Sequence, residues 1–443
     1  MANIFIYDEF NPEDNAMLQA LYSRSPKSVT EHVAKVRQSD SGKFMETFYV
    51  GYGHASIADC GSTTIFIENI SILGDKAIQD WQLYSGQETS TRYIDMSKQP
   101  LVDPMGLPES KKILDDWMSF YTRHQEATQT HLQAKYPRQP EENEAMYLKA
   151  IKARAFDSLR GFLPAGITTQ LSWHTNLRQA WDHLALLRHH PLEEVRQVAE
   201  IILSQLKQKY SHSFSHVLEP KQESYREEMV KKYSYFPPTE APDFNLQSTI
   251  KPKDLAPYQE IFNGRPPKTG LPNFLNDLGT FTFRFRLDFG SFRDIQRHRN
   301  GLCRMPLLTT ALGFNPWYLE QLPETIRQEA ETLIASQRTA IDALKAPAEI
   351  KQYYVAIGFD VACQFTFPLT AAVYVIELRS GRTVHPTLRK IAHKMHAAVL
   401  ERLPNLKLRA DLDPDDWDAR RGLQDIVSRE KQNDEQIRSE AKK

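Results

Sequence analysis

The chain has 443 residues, 41% of them hydrophobic and 25% charged, with a net charge of −1. That length exceeds one ordinary core, so two domains are expected. The near-neutral balance excludes a global field for nucleic acid or an anionic membrane surface, so any anion site has to be local. Apolar runs fall far short of 18 residues, which excludes a transmembrane helix. The start MANIFIYDEFNPED is acidic and does not read as a signal peptide. Cys60, Cys303 and Cys363 are odd in number and widely spaced. They point to a reduced, cytoplasmic protein with no disulfide framework and no metal centre.

In chain order, TTIFIENISIL (63–73) alternates as a strand, and DKAIQDWQLY follows with helical spacing. The segment 177–210, from LRQAWDH to LKQKY, reads as a long helix with an apolar stripe of Val195, Val198, Ile202 and Leu206. Between 211 and 270 the periodicity fails and proline is frequent, which marks a connecting segment. The order then repeats. GTFTFRFRLDFG (279–290) alternates as a strand, SFRDIQRHRNGL continues as a helix, and the segment 371–403 mirrors the earlier long helix. Leu388, Ile391, Met395 and Val399 carry the same 3-4-4 stripe. An internal duplication is therefore expected, with a first copy at 1–210, a connecting segment at 211–270, a second copy at 271–410 and a charged tail at 411–443. DLDPDDWDARRG is no calcium loop, since Asp416 stands where the turn needs glycine.

The chemistry lies in two stretches. DWQLYSGQETSTRYID (80–95) resembles the signature of the flavin-dependent thymidylate synthases, written RHRxxSxNExSxR. Ser85, Glu88, Ser90 and Arg92 fall at its offsets, followed by Tyr93. Gln87 replaces the asparagine, and Asp80, Trp81 and Gln82 replace Arg-His-Arg. GHASIAD, with His54 and Ser56, resembles the segment near the flavin. Further on, Arg160 aligns with a nucleotide-phosphate arginine, and Asn176 and Arg178 align with flavin-contacting residues. Asp182 stands in place of an asparagine, and Arg188 is one residue out of step.

FRDIQRHRNGLCRMPLL (292–308) shows the reverse pattern. Arg297, His298 and Arg299 are present, whereas Leu302, Arg304, Met305, Leu307 and Thr309 replace what should follow. Arg379 aligns with the arginine that activates the pyrimidine ring, while Gln352 and Thr370 replace the partners of Arg160 and Arg178. The losses are complementary, which random decay would not produce.

The resemblance implies an α/β (α+β) protein of two fused synthase copies, each a sheet flanked by long helices. It implies an enzyme that methylates dUMP to dTMP with methylenetetrahydrofolate, FAD and NADPH. It assigns dUMP to Glu88, Thr89, Ser90, Thr91, Arg92, Arg160 and Arg297. It assigns FAD to Arg297, His298, Arg299, Ser56, His54, Asn176 and Arg178, and catalysis to Arg379. A homodimer forming a pseudo-tetramer with one composite site per chain is implied too. Whether its halves meet within one chain or between two is left open, with a slight leaning to between chains. Hydroxymethylation of a related pyrimidine nucleotide and a non-catalytic nucleotide-binding or assembly role are the alternatives.

Overall fold

Strands form where the sequence alternates, and each of the long ones runs directly into a helix. The computed structural model describes residues 9–25, 27–92, 94–236, 241–414 and 417. The expected tail segment 428–443, most of DLDPDDWDARRG and Tyr93 lie outside the described residues.

Two compact units interleave along the chain. One is built from the residues up to Thr89 and Thr168–Tyr235, the other from Ser90–Ile167 and Phe236 onward. This departs from the linear division at 210 and 270, because residues 90–167 join the second unit.

In the first unit, β1 (Ser62–Ser71) leads into α1 (Ile72–Gln79), and β2 (Ser85–Glu88) follows. Then β3 (Thr168–Asn176) leads into α2 (Leu177–Leu187) and α3 (Glu193–Lys209). The sheet order is β1-β3-β2, all antiparallel. A bulge interrupts β1 between Glu68 and Ile70, where Asn69 takes φ 58, a conformation asparagine tolerates better than most residues. The expected long helix is two helices. Pro191 follows the buried His190 at the break, and Arg196 closes the turn by donating to the carbonyls of His190 (2.6 Å) and Pro191 (3.0 Å).

In the second unit the order is β4 (Phe244–Ser248), β5 (Thr280–Asp288), α4 (Phe289–Gln296) and β6 (Leu302–Arg304). It ends with β7 (Asp360–Pro368), α5 (Leu369–Arg379) and α6 (Pro386–Arg402). The sheet order is β4-β5-β7-β6, again antiparallel. Phe281 pairs with Phe367 and Phe283 with Phe365, all fully buried, so the alternation seen in the sequence becomes one aromatic face. Helices Pro108–Arg123 and Glu144–Leu159 complete this unit. Their core includes Trp117, which meets Phe162 and Phe359. The expected connecting segment is not irregular throughout. It contains the helix Pro220–Tyr233 and the edge strand β4.

Each strand-to-helix junction is capped. Ser71 accepts from Gly74 N (3.0 Å), Asn176 from Gln179 N (2.8 Å) and Asp288 from Ser291 N (2.8 Å). At Pro368 the side chain of Asn276 takes that place, accepting from Thr370 N at 3.0 Å. The caps fix where each helix starts, and so where its far end presents side chains. Among the described residues, no helix is long and apolar enough to cross a membrane.

Candidate active site

The Arg-His-Arg triplet follows the C-terminal end of α4. Asp288 starts that helix as its cap, and Gly301 ends the turn beyond it. A Cβ at Gly301 would fall 2.6 Å from the Thr366 carbonyl oxygen of β7, so the close approach requires glycine. Between these fixed ends, Asp294 and Arg297 lie one turn apart, with Arg297 Nη2 3.9 Å from an Asp294 oxygen.

Asp294 is the centre of a ring of cations. Arg160 Nη1 lies 3.7 Å from its Oδ2. Arg379, at the end of α5, donates through Nη2 to the Asp294 backbone carbonyl and through Nε to His298 Nε2 at 2.7 Å. Burial pushes the Asp294 carboxyl up, but Arg160, Arg92, Arg297 and Arg379 outweigh it and hold the group below the usual carboxylate range. Oδ2 nevertheless receives no hydrogen bond from any described residue.

The other members of the ring are tied from behind. Arg92 forms a bidentate pair with Asp157, at 2.6 and 2.8 Å. Arg160 is 1% exposed and donates to Ser291 Oγ (2.8 Å) and Tyr318 OH (3.4 Å). Tyr318 in turn donates to Asp288 (2.7 Å), which is also the cap of α4. Burial works against the Arg160 cation, yet Tyr318, Asp294, Asp288 and Asp157 raise its pKa above the ordinary arginine value. Arg297, by contrast, keeps 40% of its side chain exposed. Burial, with Arg379 and Arg297 nearby, lowers the His298 pKa to about 3. The imidazole is therefore neutral near pH 7, as an acceptor from Arg379 has to be.

The structure thus brings Arg92, Arg160, Arg297, His298 and Arg379 together within one unit of one chain. Ser90 Oγ caps the turn by accepting from Arg92 N at 3.3 Å, and Thr91 accepts from the buried Arg293 at 3.4 Å. Arg299 reaches the Arg297 carbonyl. Arg160 departs from expectation, because its burial leaves no surface with which to touch a phosphate directly.

The remaining expected residues belong to the first unit. Glu88 pairs with the buried Lys76 at 2.5 Å and accepts from Gln79, so its carboxylate serves the interior of that unit. Thr89 continues the ladder by donating to the Gln170 carbonyl. Asn176 is a helix cap, and Arg178 forms a bidentate pair with Asp59, 2.8 Å on each arm. His54 and Ser56 are exposed. At the places where the second unit has Arg297 and His298, Asp80 caps the end of α1 and Trp81 stacks on His183 at 4.7 Å.

The sequence reading singled out cations and missed their counter-ions. Asp157, Asp288, Asp294, Ser291 and Tyr318 all contact the ring. Two signals were present. Asp157 and Asp294 each precede an arginine by three residues, the spacing of neighbours on a helix.

The sequence profile of the thymidylate synthase complementing protein family matches residues 7–210. Residues 7–210 are thus similar to that family, the flavin-dependent thymidylate synthases. The family segment supports a thymidylate synthase-related function and a nucleotide substrate. It contributes Ser90–Ile167 to the second unit, and with them Arg92 and Arg160. The chain is also similar to the UPF0159 protein of Chlamydia muridarum, at 24% identity over 80% of this chain and 78% of that one. The UPF0159 protein of Thermoplasma acidophilum is 24% identical over 89% and 94%. That of Chlamydia pneumoniae is 23% identical over 82% and 79%.

Proposed function

We propose that the protein carries out FAD-dependent reductive methylation of dUMP to dTMP, at one composite site per chain in the second unit. Methylenetetrahydrofolate provides the carbon and NADPH the electrons. The observation that carries this reading is the convergence of Arg92 and Arg160 with Arg297 and Arg379 around Asp294. The first two come from the family segment and the last two from beyond it, so the complementary halves meet inside one chain.

We further read residues 1–210 and 271–410 as duplicated copies. Apart from edge strand β4 and the helices between the second and third strands, both sheets follow the order strand, helix, strand, strand, helix, helix, with the third strand of that order paired to the first and second. Each copy has kept one half of the site. Arg92 and Arg297, the more accessible cations, contact the nucleotide phosphate with the Ser90 hydroxyl, and Arg160 adds its charge from the interior. Arg379 faces the uracil edge and stabilises negative charge at N3 and O2, so no enzyme thiol is needed. Cys363 fits that reading, since burial pushes its thiol well above the ordinary value.

The residues fit a flavin. Arg297 and Arg299 offer planar cations to a diphosphate, and neutral His298 offers a ring for stacking or hydrogen bonding. FAD supplies the hydride relay when bound. Two chains assemble as a pseudo-tetramer. The test is direct: purified protein given FAD, NADPH, methylenetetrahydrofolate and dUMP should form dTMP, and its expression should rescue a synthase-deleted bacterium from thymidine dependence. Failure to take up flavin at saturating FAD would contradict the reading.

A further inference from the structure

A carboxylate at the centre of a proposed phosphate site is a conflict, and the geometry points to how it is resolved. We infer that Asp294 takes up a proton when the nucleotide phosphate enters, and that the resulting acid donates a hydrogen bond to a phosphate oxygen. The inference rests on the nucleotide reading above and goes beyond it, because it makes binding depend on protons and names the residue responsible.

Three observations support it. Oδ2 of Asp294 is buried and accepts from no described donor, so it can carry a proton without losing a bond, as Asp288 Oδ1 also can. Of the two other carboxylates, Asp157 holds both arms of Arg92, and Asp288 is fully buried and accepts from Ser291 N and Tyr318 through Oδ2, whereas Asp294 stands beside the exposed Arg297. Finally, Asp294 lies within 4 Å of both the buried Arg160 and the exposed Arg297, so an anion bound to Arg297 becomes its close neighbour.

The groups around it come from every packed element. They are Arg92 beside the helix that carries Asp157 and Arg160, Arg297 and His298 beyond α4, Arg379 from α5, and Tyr318 and His385 behind Arg160. In the free protein these cations hold Asp294 ionised. A phosphate dianion compensates the same cations and adds like charge, which reverses the balance and favours the neutral acid. The proton comes from solvent and sits on the Asp294 carboxyl. No other bond is made or broken.

The experiment is calorimetric titration of dUMP into the full chain at several pH values, in buffers of different ionisation enthalpy. Wild type should take up about one proton per nucleotide bound and lose affinity about tenfold per pH unit once Asp294 must be neutralised. Asp294→Asn should bind at least about tenfold tighter at pH 8, with that proton uptake abolished. Deoxyuridine, which lacks the phosphate, should show no such dependence. Binding without proton uptake would overturn the inference and leave the nucleotide reading intact. So would tighter binding by Asp294→Asn without uptake by wild type, since the carboxylate would then swing aside instead. A deoxyuridine affinity with the same pH dependence would overturn it as well. Absence of dUMP binding by both proteins would overturn the nucleotide reading itself, and this inference with it.

Discussion

Arg160 is buried and Arg379 half-buried beside Asp294, and the structure gives them different work. Arg379 reaches its neighbours from the end of α5 and has its pKa lowered by burial. Arg379→Lys keeps a charge but loses the planar fork. Turnover should fall by roughly 10²–10³ while dUMP affinity and the unfolding temperature hardly move. Steady-state kinetics with a melting curve checks this, and a fully active variant contradicts the assignment. Arg160→Ala should instead act through stability. It strips Asp288 and Tyr318 of a buried cation, at a cost of about 3–5 kcal/mol. Arg297→Ala, 40% exposed, should cost no more than about 1 kcal/mol and weaken flavin and nucleotide binding instead. Denaturant titration of the two variants separates them, and equal destabilisation would contradict the burial argument. The cations themselves were legible in the sequence, because residue type and offset mark them. Asp288 and Tyr318 were not, since they stand far from Arg160 in sequence and meet it only in the fold.

Among the elements, α4 depends most on a single residue. Asp288 caps it, accepts from Tyr318 and faces Arg160, whereas Ser71 at the matching junction of α1 accepts from Gly74 and donates to Glu194 alone. Ser71→Ala should cost about 1 kcal/mol, the usual effect of a lost cap. Asp288→Ala should cost severalfold more, because it also uncovers a buried cation. Chemical denaturation measures both, and similar losses would show that the network adds nothing to the cap. The strands β1 and β5 were readable to within about two residues, since one buried face gives strict alternation. The helices at 177–210 and 371–403 were read as continuous because their stripes persist across breaks at His190-Pro191 and at Gly381. Edge strand β4 was missed. Leu246 is its one fully buried residue, so no alternation shows through the surrounding prolines.

For the whole molecule, the histidines set the response to acid. In the first unit, burial lowers His183 to about 4 and His190 to about 3. In the second, His298 is lowered to about 3, and His385 lies well below its ordinary 6.5. These groups stay neutral in the folded protein and protonate when it unfolds. The unfolded state therefore binds more protons below pH 6.5, and stability falls as pH drops through that value. Asp360 acts oppositely, since burial raises it to about 7 and the folded state keeps its proton down toward 3.8. From these groups, between pH 6.5 and 5, the first unit should thus lose about 2 kcal/mol per pH unit, and the second about half that. Asp182, also raised by burial, offsets part of the first unit's loss near the lower end. Hydrogen exchange at pH 7 and 5.5 reads both units at once, and protection undiminished at the lower pH would contradict this response to acid. The repeated order of elements was legible because two apolar patterns recur. The interleaving was not, because local periodicity does not report which unit residues 90–167 join.

The most direct measurement asks where the two halves meet. Chains carrying Arg92→Ala are mixed with chains carrying Arg379→Lys, subunit exchange is verified by mass, and dTMP formation is followed. Because the structure places both arginines around Asp294 of the same chain, every site in a hybrid retains one defect, and the mixture should stay as inactive as its components. Recovery of activity on exchange would mean that the halves meet between chains, and would contradict the single-chain site.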